Sequence, residues 1–110
     1  MARYQNRVNT LLTPDKIIPR IKPFLEEAGF YQKEYKGEVV WKKGEGLLTA
    51  PQFMKVTFYE GYATVEAWIK FAWLPGVYGK DMGLDGFMGW AIKAVLRKKV
   101  AELERLIAMN

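Results

Sequence analysis

Three residue types that commonly carry chemistry are missing from this chain, which contains no cysteine, no histidine and no serine. Serine-, cysteine- and histidine-based catalytic triads are therefore excluded, as are disulfides and metal sites built on thiolate or imidazole ligands. An enzyme would have to work with carboxylates, lysine, tyrosine or threonine alone, so we expect a non-enzymatic protein without cofactor or metal. Because nothing in the composition requires an oxidising compartment, we expect a cytoplasmic location.

Long hydrophobic runs are also missing. No stretch of about 18 apolar residues occurs, and the sequence therefore predicts no transmembrane helix. The charges are unequal, since 17 lysines and arginines against 12 aspartates and glutamates give a net charge of +5. Such a surplus attracts nucleic acid, anionic lipid and acidic protein alike, and ordinary solubility explains it equally well. The charge alone selects no partner.

The length and the apolar content fit one folding unit. Of the 110 residues, 50% are hydrophobic and 15% are aromatic, which is enough material for one hydrophobic core. Residues 1–12 are polar and mildly basic, so we interpret them as an N-terminal arm. Residues 13–110 are predicted to form a single α+β domain.

The first helix is predicted after the arm. Thr13-Pro14-Asp15 is typical of a helix start, with a capping hydroxyl, an early proline and an acid in the first turn. Pro19 and Pro23 each lack the amide hydrogen that an interior turn requires, so we expect a short turn near 14–18 and a better helix over 19–28. Gly29 then predicts the end of the helix, with Phe30 packing back against it.

Two β-hairpins are predicted in the middle of the chain. The first covers residues 31–43 and turns at Lys36-Gly37, with its register left open. The second turns at Glu60-Gly61, which gives one apolar side and one side of matched aromatic, threonine and opposite-charge pairs. The predicted pairs are Tyr59–Tyr62, Phe58–Ala63, Thr57–Thr64, Val56–Val65, Lys55–Glu66, Met54–Ala67 and Phe53–Trp68.

The C-terminal part is predicted to contain a glycine-rich loop through Gly79 and Gly83, followed by an amphipathic helix over 84–108. The buried stripe of this helix, widened by Val95 and Leu106, is predicted to be Met88, Ile92, Leu96, Val100, Leu103 and Ile107. The predicted fold is therefore α+β, an antiparallel four-stranded meander flanked by an N-terminal and a long C-terminal helix, in the order α-β-β-β-β-α.

One side of the second hairpin carries a candidate binding face of aromatic and basic residues, namely Phe53, Lys55, Tyr59, Tyr62, Trp68 and Lys70. Aromatic rings among cations are typical of sheets that hold single-stranded nucleic acid. The same pattern also fits an interface with another protein, an interface between two copies of this chain, or a side that is packed by a helix. The sequence leaves these alternatives open.

The last helix carries candidate polyanion contacts on its predicted solvent face, namely Lys93, Arg97 and Lys98. Basic helices bind duplex phosphates, acidic lipid or acidic proteins. Glu102 and Glu104 follow closely and are placed to pair with Lys98 and Lys99 along the helix. An ordinary solvated helix face is therefore the alternative interpretation.

Residues 61–70, with 74–77 and 82–87, resemble small bacterial domains of unknown function. The resemblance covers most of the chain and implies no catalytic or binding residues. The helix–sheet–helix order is also similar to double-stranded-RNA-binding domains in topology alone, since their basic loop and helix-start pattern is absent here.

We therefore expect a non-enzymatic interaction domain whose aromatic and basic sheet face meets another protein or a second copy of the chain. The first alternative is a nucleic-acid-binding module that uses the same face together with the basic helix. The second is peripheral docking on an anionic membrane through residues 82–99. The sequence identifies no small-molecule substrate.

Overall fold

Two helices and six strands follow one another along the described part of the chain. The computed structural model describes residues 3–35, 37–44, 51–74, 77–82 and 90–108. In chain order the elements are β1 (Tyr4–Asn9), α1 (Pro14–Glu27), β2 (Tyr31–Tyr35), β3 (Glu38–Lys43), β4 (Gln52–Tyr59), β5 (Tyr62–Leu74), β6 (Val77–Met82) and α2 (Trp90–Ala108).

The six strands form one antiparallel sheet with the order β1-β5-β4-β3-β2, while β6 pairs with residues 69–74 of β5. The predicted α+β class is confirmed. The predicted four-stranded meander is wrong, because β1 and β6 extend the sheet and because the described chain begins with a strand instead of a helix.

β1 lies in the segment that the sequence presents as an arm. It pairs with β5 from Tyr4 opposite Ala67 to Asn9 opposite Tyr62. Val8 is the one buried residue of this strand, so the segment carries little of the hydrophobic signal by which a strand is recognised. Residues 4–9 therefore form an outer strand of the sheet, within the segment that was predicted to be an N-terminal arm.

β6 occupies part of the expected glycine-rich loop. It continues antiparallel to β5, with register shifts between Lys70 and Ala72 and between Ala72 and Leu74. A glycine inside such an irregular strand weakens the alternating pattern, which explains why the sequence suggested a loop. The predicted start of the last helix at residue 84, with Met88, lies outside the described residues.

The β4–β5 hairpin has the predicted register at every pair. Gly61 in its turn has a φ of +83°, a left-handed value that glycine adopts without steric cost. The β2–β3 hairpin also turns where predicted, with Tyr35 opposite Glu38 and a φ of +82° at Gly37. Its register, which the sequence left open, places Gln32 opposite Trp41 and Lys33 opposite Val40.

α1 is one continuous helix and not a turn followed by a helix. Pro19 and Pro23 lie at exposed positions, and the amide hydrogens that they lack would otherwise bond the carbonyls of Asp15 and Pro19. These carbonyls also belong to exposed residues, where water can replace the missing bonds. The buried residues of α1 lie along its other face, at Ile17, Ile21 and Leu25.

α1 ends as predicted at Gly29, where φ is +96°. The Phe30 amide donates to the Leu25 carbonyl at 2.9 Å, and the Gly29 amide donates to the Glu26 carbonyl at 3.0 Å. This pair of bonds defines a Schellman motif. Phe30 packs into the core, as expected from the sequence.

Both helices pack on one side of the sheet, which we call the helix side and which carries Met54, Val65 and Ile69. The opposite side carries Phe53, Trp68 and Tyr59, one position along each strand. In the core on the helix side, α2 contributes the predicted stripe residues Leu96, Val100, Leu103 and Ile107. Val95 is 54% exposed and does not widen that stripe, whereas Leu106 packs partly against it.

Candidate binding surfaces

Phe53 and Trp68 are the largest residues of the candidate binding face, and both are buried, with exposed fractions of 0% and 1%. Their rings stack with centroids 5.4 Å apart and planes inclined by 2°. With Val40 they form a second, smaller hydrophobic cluster on the opposite side of the sheet. The sequence therefore paired these rings correctly, but the expectation that they are available to a partner is wrong, since burying rings of this size is strongly favourable.

Two cations on the same side of the sheet as this cluster, Arg3 and Lys55, are matched by carboxylates of the same chain. The Arg3 guanidinium lies 3.6 Å from the centroid of the Trp68 ring and donates to both oxygens of Glu38, at 2.8 and 2.9 Å. Arg3 also approaches Glu66 at 3.3 Å, and Lys55 donates to Glu38 at 3.0 Å. Lys55, a predicted member of the binding face, is therefore half-buried, and its charge is paired within the protein.

Glu38 is the centre of this network. Hydrogen bonding from Arg3, followed by hydrogen bonding from Lys55 and the positive charge of both side chains, lowers the pKa of Glu38 from 4.5 to about 2 against the opposing effect of burial. A fork of two hydrogen bonds from guanidinium to carboxylate is geometrically specific. The network thus links Arg3, the residue before β1, to β3 and β5 and links β3 to β4 on the opposite side of the sheet.

Among the aromatic residues of the predicted face, Tyr59 and Tyr62 reach solvent. Their rings stack at 4.8 Å, and the Arg7 guanidinium lies 3.9 Å from the centroid of the Tyr62 ring. Tyr59 is 50% exposed and borders an open depression of about 410 Å³ lined mainly by polar side chains. The side chain of Lys70, the last predicted member of the face, lies outside the described residues.

The three predicted polyanion contacts of α2 do not share one surface. Arg97 and Lys98 are exposed, but Lys93 is only 4% exposed. Lys93 precedes Leu96 by three residues and Val100 by seven, which places it on the buried stripe. The expected solvent position of Lys93 is therefore corrected, and the helical spacing would have revealed it.

The predicted charge pairs along α2 are confirmed in part, for Lys99 with Glu102. Lys99 approaches Glu102 at 3.9 Å. Glu104 instead accepts hydrogen bonds from the Tyr4 hydroxyl at 2.6 Å and from the Asn6 amide at 3.1 Å. Burial first, and then the bond to Glu104, raises the pKa of Tyr4 from 10.0 to about 12. Glu104 thus ties α2 to β1.

An apolar groove that sequence reasoning missed opens between α1 and the strands on the helix side. We call it the α1 groove; it encloses about 170 Å³ and is lined by Ile18, Ile21, Gln32, Val39, Trp41, Val56 and Phe58. Val39 is 61% exposed and Ile18 is 43% exposed. The alternating strand pattern of Val56 and Phe58 indicated the helix side, but it carried no information on how far α1 covers that side.

The α1 groove lies beside the outer edge of the sheet. β2 stands last in the strand order, and no strand among the described residues pairs with its outer edge. Residues 31–34 of β2 are exposed, and Gln32 belongs both to this strand and to the lining of the groove. An unpaired strand edge and an apolar depression therefore adjoin each other.

The part of the chain that the structure describes contains no group of three or more carboxylates placed to hold a metal ion. Within the same residues, neither helix has the length and apolar character required to cross a membrane.

Comparison with known proteins does not identify the chain. No protein-family model, no curated protein and no solved structure matches the chain.

Proposed function

We propose that this protein is a non-enzymatic protein-interaction domain and that its binding surface is the α1 groove with the adjoining edge of β2. The observation that carries the proposal is the exposure of Val39 and Ile18 at the mouth of an apolar depression. Concave apolar surfaces next to free backbone groups are used by domains that bind an extended segment of a partner. This surface replaces the aromatic face, whose two largest rings are buried.

The chemistry of the groove favours a protein over a nucleic acid. Six of its seven lining side chains are apolar, and the seventh, Gln32, is an uncharged amide. Phosphate recognition depends on arginine and lysine, and affinity then falls steeply with salt. Arg3 and Lys55, which belong to the opposite side of the sheet, are already paired with Glu38. Their positive charge is partly neutralised within the protein.

The same lining favours binding over catalysis. None of the side chains that border the α1 groove titrates near neutral pH, so the groove offers no general acid, general base or nucleophile. The groove does offer apolar contact area and the backbone groups of β2. We therefore place the function of this surface in recognition of another chain.

Site-specific photo-crosslinking in the cells that produce the protein tests this proposal. A photoreactive phenylalanine analogue at Val39 should give a discrete adduct with a partner protein, because Val39 lies at the mouth of the groove. The matched control is the same analogue at Ala101, an exposed position on α2 outside the groove, which should give none.

A second variant shows whether the groove itself is responsible. Ile18→Glu places a charge in the groove lining and should remove the Val39 adduct without lowering the melting temperature by more than a few degrees, since Ile18 is already 43% exposed. Adducts at Ala101 that match those at Val39, or an adduct that survives Ile18→Glu, would contradict the proposal. Adducts formed only by an analogue at Tyr59 would move the interface to the opposite side of the sheet.

A further inference from the structure

The outer edge of β2 offers a defined set of backbone groups. In a hairpin with a two-residue turn, the pair that closes the turn bonds within the hairpin, and the direction of bonding alternates along each strand. Tyr35 and Glu38 are the closing pair. Lys33 therefore bonds towards β3, whereas Gln32 and Glu34 direct their amide and carbonyl groups outward.

A second copy of the chain is a poor occupant of this edge. Antiparallel pairing through both outward residues would place Gln32 of one copy opposite Glu34 of the other and the two copies of Lys33 directly opposite each other. Like charges in directly opposed positions destabilise strand pairs, and lysine on an outer strand commonly prevents copies from joining. The sequence of β2 therefore discourages self-pairing.

The charge of Lys33 is unmatched within the described part of the chain. Lys33 is exposed and makes no ion pair with any described residue, in contrast to Arg3 and Lys55 on the same side of the sheet. A carboxylate on an added strand, directly opposite Lys33, would supply the missing countercharge. Residues adjacent to that carboxylate would project to the helix side, next to Gln32 and the α1 groove.

We propose that β2 accepts an extended segment of a partner protein that carries an aspartate or glutamate opposite Lys33 and an apolar residue beside it. This inference rests on the proposed function and names the chemistry of the partner. Backbone bonds to Gln32 and Glu34 hold the added strand, the acid selects its register, and the apolar neighbour contacts the groove. The single positive charge of Lys33 thus disfavours pairing between two copies of the chain and favours pairing with an acidic partner.

Mixing the wild-type protein with the Lys33→Glu variant tests this inference without an unidentified ligand. Each protein alone places like charges opposite each other and should remain monomeric at about 100 µM. The mixture places Lys33 opposite the introduced carboxylate and should form a one-to-one dimer in sedimentation equilibrium. Lys98→Glu is the charge-matched control, because Lys98 is exposed on α2, which packs against β1 and β5 at the other end of the strand order from β2, and its mixture with wild type should stay monomeric.

Gln32→Pro in one partner removes an outward amide and should weaken the mixed dimer by about tenfold or more. Circular dichroism and melting temperature of this variant establish that it is folded, since proline is tolerated on outer strands. A monomeric mixture, a dimer that Gln32→Pro does not weaken, or an equal dimer with Lys98→Glu would each overturn the inference. If the Val39 adduct forms while the mixture stays monomeric, the proposed function stands and strand addition at β2 is wrong.

Discussion

Similar side chains are buried to different extents on the two sides of the sheet. On the opposite side, Phe53 and Trp68 are fully buried, and the adjacent Arg3 is matched by carboxylates. On the helix side, burial is complete under the two helices but stops at the α1 groove, where Val39 is 61% exposed. The position of a hydrophobic residue along a strand thus shows which side of the sheet it faces. Its exposure depends on the elements that pack on that side. This difference separates core from binding surface.

The largest expected effect on stability concerns the opposite side of the sheet. Trp68→Ala should lower the free energy of unfolding by about 3–5 kcal/mol, because it removes a fully buried ring and its stack with Phe53. Chemical denaturation provides the measurement. Tyr59→Ala is the control on the same side, and should cost less than about 1.5 kcal/mol because Tyr59 is half-exposed. Equal losses in the two variants would show that the contrast between buried and exposed rings is wrong.

The next effect concerns the helix side. Leu96→Ala should cost about 2–5 kcal/mol, since Leu96 is fully buried in the core between α2 and the sheet. Its neighbour Val95 is 54% exposed, and Val95→Ala should change stability by less than about 0.5 kcal/mol. Urea denaturation measures both losses, with the same dependence of the unfolding free energy on urea concentration used for each variant. A loss below about 1 kcal/mol for Leu96→Ala would make α2 peripheral to the fold.

A smaller effect is expected at Glu38, and it depends on pH. The folded state lowers the pKa of Glu38 from 4.5 to about 2, so the stabilisation by its carboxylate is fully present above pH 4.5 and is lost as pH falls towards 2. Glu38→Gln should cost about 1–2 kcal/mol at pH 7. The variant should also lose less stability than the wild type between pH 4.5 and pH 2. Parallel curves for the two proteins over that range would contradict the assigned network.

The smallest effect on stability is expected in the α1 groove. Val39→Ser should change the free energy of unfolding by no more than about 0.5 kcal/mol, because the side chain is largely exposed. Thermal denaturation measures this quantity directly. A loss above about 2 kcal/mol would mean that Val39 is part of the core and would remove the groove as a binding surface.

How much the sequence could predict varies from one element to the next. The register of the β4–β5 hairpin followed from its own pairs, because a slip by one residue would separate Lys55 from Glu66 and every other match. The end of α1 at Gly29 was equally local. The polar outer strand β1 was missed, since its partner β5 lies more than fifty residues away and only Val8 is buried. Whether Phe53 and Trp68 are covered was likewise undecidable from their own strands.

The candidate site was the least predictable feature for the same reason. The α1 groove combines α1 with three strands, and its existence depends on where the helix stops covering the sheet. Lys93 is the exception, because its spacing from Leu96 and Val100 already indicated a buried position. β2, in which residues 31–34 are all exposed, gave no sign that its edge adjoins an apolar depression.

The position of β1 in the sheet has a consequence for biosynthesis. Tyr4 and Asn6 leave the ribosome early, but their partners are β5 and Glu104, which are translated much later. Contacts between distant parts of a chain form slowly because a long loop must close first. The β2–β3 and β4–β5 hairpins close locally, so β1 is expected to add to a sheet that is already partly assembled. Until then the outer edge of β5 stays open, which makes this interval the period in which the nascent chain is most prone to pair with the wrong strand.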